Sequence, residues 1–85
     1  MDNELFNKES IYNYLKEILL SGYDIEERDF SLDSSLTNCL ALDSLDLVEI
    51  QLNLEKKFKI SFNDDDLEKW DKVKDVVDSI KEKIN

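Results

Sequence analysis

Three features of the 85-residue sequence predict an all-α protein with three main helices, one short helix and a long loop between the first and second. There is no proline and only one glycine, so the turn punctuation of a β-protein is missing. Apolar residues recur at intervals of three and four instead of alternating. Hydrophobic residues make up 41% of the chain, enough for one core but not two, which predicts a single domain over residues 1–85.

Ile11, Leu15, Ile18 and Leu19 fall at i, i+4, i+7 and i+8 and place the first helix at about 8–20, with an earlier start near Asn3 as the alternative. Ser21-Gly22 offers a glycine C-cap. From Ser21 to Leu42 no period is sustained, and Ile25, Phe30, Leu32, Leu36 and Leu40 are expected to pin this long loop to the core. A second helix should start at Asp43 or Ser44 and run to about Lys59. Asn63 or Asp64 should open a short turn of helix ending at Glu68. A last helix should follow Asp71 as N-cap, with Val73, Val76, Val77, Ile80 and Ile84 on its buried stripe.

The formal net charge is −10, and residues 1–55 hold thirteen acidic and three basic side chains. That balance argues against nucleic acid and anionic membrane surfaces as partners, because phosphate contact needs a basic face; it favours basic protein surfaces. The chain has no histidine, so it cannot assemble a Ser-His-Asp or Cys-His apparatus, and no catalytic residue is expected. One cysteine, Cys39, is expected to be a small buried hydrophobe in a protein of the reducing cytoplasm. The N-terminal residues lack the charged and apolar regions of a signal peptide, and no apolar run is long enough to span a bilayer.

The second helix carries two apolar stripes. At about 100° per residue, Leu47, Ile50, Leu54 and Phe58 cluster on one side, which should be core. Leu45, Val48 and Leu52 lie opposite, bordered by Glu49, Glu55 and Lys56. This second strip is either covered by the long loop or left open as a docking surface for basic partners; partial cover of Leu45 is expected in both cases. At the helix start, Asp43-Ser44-Leu45-Asp46 is by itself a capping signature with Ser44 as the capping residue. A phosphate on a serine placed there would meet open backbone N–H groups and the positive end of the helix dipole.

The run Leu40-Ala41-Leu42-Asp43-Ser44-Leu45-Asp46-Leu47-Val48-Glu49-Ile50, then Leu54-Glu55-Lys56-Lys57-Phe58, then Ile60-Ser61-Phe62-Asn63-Asp64 resembles the acyl carrier proteins. Trp70-Asp71-Lys72-Val73 through Ile80 continues the likeness into their fourth helix. The resemblance implies an up-down four-helix bundle that is not an enzyme. It implies that a separate phosphopantetheinyl transferase attaches 4′-phosphopantetheine from coenzyme A to Ser44, with Asp43 assisting. It further implies that the arm's thiol carries acyl groups as thioesters to acyl-processing enzymes with basic docking surfaces. Leu45, Asp46, Val48, Glu49, Leu52 and Glu55 would form the recognition face of a cytoplasmic monomer with no metal site.

Several residues depart from the fatty-acid-synthesis carriers. Ala41-Leu42 stands where Gly-Ala is frequent, Asn38-Cys39 where two acids are, and Asn63 where proline is. Lys56 and Lys57 interrupt the acidic run after Glu55 and are expected to weaken docking to enzymes that read an unbroken acidic helix. Carriers of polyketide, peptide and D-alanyl pathways share the Leu-Asp-Ser-Leu form, so the cargo stays open. The competing reading is an unmodified acidic interaction module in which Ser44 only caps the helix. Asn63 to Asp66 with Glu68 lacks the ligand spacing and glycine of a calcium loop and is expected to be a solvated helix start. Trp70, Tyr12, Tyr14 and Tyr23 are expected to pack in or at the rim of the core.

Overall fold

Asn7 opens the first helix of the computed structural model, which describes residues 7–84. Its Oδ1 accepts the Ser10 N–H at 2.8 Å, capping α1 (Lys8–Gly22). The alternative start near Asn3 lies outside the described residues. Gly22 belongs to the last turn of α1 and is not a left-handed cap; the chain leaves through Tyr23 in an extended conformation. A short 3₁₀ turn (Glu27–Asp29) follows, then α2 (Ser44–Phe58), α3 (Asp64–Glu68) and α4 (Val73–Ile84). No strand occurs among the described residues, and the fold is the small all-α bundle the sequence predicts.

The core forms where the apolar stripes converge. Ile11, Leu15 and Leu19 of α1 meet Ile50 and Leu54 of α2 and Val73, Val76, Val77 and Ile80 of α4. Leu47, Phe58 and Ile84 pack at the edge of this cluster, half-buried. Trp70 is buried and meets Phe62 edge-on at 4.9 Å. Tyr14 packs against Phe58 in the same way, at 5.6 Å.

The long loop is a strap across the start of α4. The N–H groups of Val73 and Lys74 donate to the carbonyls of Ser34 and Leu32, and the Leu36 N–H donates to the Asp71 carbonyl at 2.9 Å. Opening residues of α4 and loop residues thereby satisfy each other's backbone groups. Ser34, buried, fastens the strap from within, its hydroxyl donating to the Asp29 carbonyl at 2.6 Å and accepting from the Ser31 N–H. Asp75 accepts the N–H groups of Asp71 and Lys72, so α4 starts at Val73, one residue later than Asp71 as N-cap would place it. Phe30, Leu36 and Leu40 are buried as expected, with Leu42, and Ile25 is half-buried. Leu32 is 48% exposed; its carbonyl, not its side chain, makes the attachment. Cys39 is also exposed, because it sits at the outer bend between the buried Leu36 and Leu40, where its own N–H turns back to Ser35. The expected buried cysteine is thus corrected.

The acidic opening of α3 is less solvated than its composition predicts. Asn63 and Asp66 cap each other reciprocally, at 2.9 and 3.0 Å. Asp66 is buried and pairs with Lys83 of α4 at 2.9 Å. Its carboxyl is held below the ordinary Asp value of 3.8 by its hydrogen bond to the Asn63 backbone and then by Lys83. No group of three metal-ligating side chains occurs among the described residues.

Two expectations follow. Ala41 has a left-handed backbone, φ 55°, and is exposed, so Ala41→Gly removes strain without losing packing. Urea unfolding should show a gain of about 0.5–1 kcal/mol, the left-handed penalty less the greater chain entropy of glycine. A lowered folded-state pKa at Asp66 means that its stabilisation is complete above 3.8 and lost as the pH falls through the folded value. The stability difference between the native chain and Asp66→Asn should therefore shrink between pH 7 and pH 3, and a difference independent of pH would contradict this assignment.

Candidate functional site

The loop delivers the chain to α2 through two anchored residues. Leu42, buried, donates its N–H to the Leu36 carbonyl at 2.9 Å, just after the left-handed turn at Ala41. Asp43 is then extended, and its Oδ1 accepts the Asp46 N–H at 2.9 Å while Asp46 Oδ2 accepts the Asp43 N–H at 3.2 Å. This is a capping box with Asp43, not Ser44, as the capping residue. Capping does not explain Ser44, which corrects that part of the sequence reading. The shift by one residue has a physical basis: a carboxylate accepts more strongly than a hydroxyl, and an acid next to the positive helix end gains from the dipole.

Ser44 is the first residue of α2 and is exposed. Among the described residues no group hydrogen-bonds its hydroxyl. Asp43 consumes the Asp46 N–H through its carboxylate and the Leu47 N–H through its carbonyl, so the N–H groups of Ser44 and Leu45 stay open at the helix end. A phosphodiester on Ser44 fits this arrangement: the residue is exposed, and two open amide donors lie at the same helix end.

Beyond Ser44 the outer stripe of α2 is bare. Leu45 is 76% exposed, Val48 48% and Leu52 57%. Residues 32–36 of the loop are held on α4 and leave the strip open, Tyr23 at the loop's start lies beside Leu52 and Glu49, and Leu45 lacks the partial cover expected of it. Asp43 and Glu49 are exposed beside this strip and Asp46 is half-buried. Glu49 Oε1 accepts from the Tyr23 hydroxyl at 2.9 Å. Partial burial, and then this bond, push the Tyr23 phenol up to about 12, so the contact persists as a neutral donor to a carboxylate through the physiological range. Glu55 is half-buried and turned toward its own chain. Its Oε2 accepts the Phe62 N–H at 2.8 Å, which lies past the left-handed C-cap at Lys59 and outside any helix.

A family model described as the phosphopantetheine attachment site matches residues 13–80. The chain belongs to the acyl carrier protein family. It is 42% identical over 77 residues to an acyl carrier protein of Coprothermobacter proteolyticus, covering 91% of this chain and 94% of that one. To the acyl carrier protein of Petrotoga mobilis it is 33% identical, with 92% of each chain covered. With that of Cyanidium caldarium it shares 36% identity over 95% of this chain and 94% of the other. Members of this family are carriers and not catalysts, and the matched domain is the one that takes 4′-phosphopantetheine. No helix among the described residues is long and apolar enough to cross a membrane.

The division of labour between Asp43 and Ser44 is measurable. Asp43→Ala should lower stability by about 1 kcal/mol, the usual worth of an N-cap. Ser44→Ala, on the first helical residue, should stay within about 0.5 kcal/mol of the native chain. Thermal or urea unfolding of the two variants distinguishes them; equal losses would return the capping role to Ser44.

Proposed function

We propose that Ser44 is the attachment point of 4′-phosphopantetheine and that the chain carries acyl intermediates in fatty-acid or related biosynthesis. The observation that carries the reading is an exposed, unpartnered serine hydroxyl on the first residue of α2, followed on the same helix by the open strip Leu45, Val48 and Leu52. When attached, 4′-phosphopantetheine supplies a terminal thiol that holds an acyl group as a thioester.

The chain's own residues do the rest. Asp43 fixes the start of α2 and thereby the direction of the neighbouring Ser44, whose hydroxyl a phosphopantetheinyl transferase must reach. Leu45, Val48 and Leu52 offer apolar contact that a partner can desolvate, worth about 25 cal/mol per Å² before the costs of association. Asp43, Asp46 and Glu49 give the surrounding surface one sign of charge, which steers enzymes with basic docking patches to this helix. Glu55 contributes mainly by holding the segment between α2 and α3, and through it the end of the docking helix. A single cysteine fits work in the reducing cytoplasm, where the carrier acts as a monomer.

The test is the intact mass of the protein before and after incubation with coenzyme A and a broad-specificity phosphopantetheinyl transferase. One phosphopantetheinyl group should be gained by the native chain and none by Ser44→Ala. No gain in a folded native sample would favour an unmodified interaction module.

A further inference from the structure

The two lysines that interrupt the acidic run of α2 are not equivalent. Lys57 leaves the docking strip: it lies at about 120° on the helix wheel from Leu45, and its Nζ rests over the Tyr14 ring, 5.1 Å from the centroid. Lys56 lies at about 20° from Leu45, one turn beyond Leu52, and is exposed. Among the described residues no carboxylate pairs with its ammonium. It forms, with Tyr23, Glu49, Leu52 and Asn53, the wall of an open cleft of about 430 Å³ beside the strip.

The polar groups of that cleft are already ordered. Tyr23 donates to Glu49, occupying one carboxylate oxygen. Tyr14 donates to Asn53 Oδ1 at 3.2 Å, which commits the amide oxygen and leaves the Asn53 NH₂ as a donor. Glu55, the acid that would have continued the negative rim, is spent on the Phe62 N–H. The face therefore changes sign along its length: acids at 43, 46 and 49, then an amide donor at 53, about 6 Å of helix rise beyond Glu49, and a cation at 56, about 10 Å beyond it.

We infer that Lys56 determines which partner enzymes this carrier accepts: the cognate docking surface is basic opposite Asp43, Asp46 and Glu49 but places a carboxylate side chain, Asp or Glu, at the end of the cleft held by Lys56 and Asn53, away from the Glu49 carboxylate that Tyr23 occupies. This rests on the carrier reading above. Charge complementarity selects the occupant, since a partner cation at that end would face an unpaired ammonium, whereas a carboxylate gains an ion pair and an amide hydrogen bond.

The experiment uses the modified protein as Lys56, Lys56→Glu and Lys57→Glu forms, and as probe a fatty-acid ketosynthase whose docking ridge is wholly basic. Each ridge residue of the ketosynthase is changed singly to Glu, and Kd is measured at low and physiological salt. Against the unaltered ridge, Lys56→Glu should bind about 3- to 10-fold more tightly and Lys57→Glu within about twofold of the native carrier. One ridge-to-Glu variant should reverse the order, favouring the native Lys56, and the differences should shrink with salt. Equal effects of the two lysines, or no ridge variant that reverses the preference, would overturn the inference. Because the three carriers are first scored for mass gain at Ser44, a failure of modification is seen separately and would overturn the carrier reading itself.

Discussion

The hydrogen-bonded strap between the long loop and the opening of α4 is the constraint on which the remaining geometry depends. A helix of twelve residues in a small bundle has backbone N–H groups at its start that something must satisfy. Here the carbonyls of Leu32 and Ser34 take two of them, and the Asp71 carbonyl returns the favour to Leu36. Residues 32–36 of the loop are thereby held on α4 and not over the outer face of α2. Had the loop lain over α2, Leu45, Val48 and Leu52 would have been core; fixed on α4, it leaves them as surface.

The same strap sets the register of Ser44. Leu36 is bonded to Asp71 through its N–H and to Leu42 through its carbonyl, so the start of α2 is tied, two hydrogen bonds removed, to the start of α4. Between Leu42 and Ser44 there is room for only one extended residue, and Asp43 fills it as the cap. The left-handed Ala41 is where the chain absorbs the reversal this requires. Non-glycine residues carry a cost in that conformation, and it persists because Leu40 and Leu42 on either side are both buried. Strain at this point lies three residues before Ser44, the first residue of α2, whose direction it helps to fix.

Charge is organised on two levels. Acids whose carboxylates take backbone N–H groups, Asp43, Asp46, Glu55, Asp66 and Asp75, tie the fold together; all but Glu55 do so at a helix start, where the dipole favours negative charge, and Asp43 and Asp46 add their charge to the surface of α2 as well. Other charges, Glu49 and Lys56 among them, stay on the surface of α2. Composition alone counts both sets together, which is why Glu55 reads as a rim residue in the sequence and as an internal tie in the structure.

Helix number, order and class were legible in the sequence because helical periodicity is a local property: Ile11-Leu15-Leu19, Ile50-Leu54 and Val73-Val76-Val77-Ile80 each declare a buried stripe without reference to the others. The Asp43-Ser44-Leu45-Asp46 start of α2, the Asn63 cap and the family likeness are equally local, being runs of neighbouring residues. What periodicity does not contain is which of two apolar stripes finds a partner, since that depends on where a 21-residue connection with no period of its own comes to rest. The exposure of Leu45, the turning inward of Glu55, the packing of Lys57 on Tyr14 and the outward position of Cys39 were decided only in the folded structure, by backbone hydrogen bonds and aromatic contacts that periodicity does not contain. Local pattern names the elements, and the long-range satisfaction of backbone groups assigns their faces.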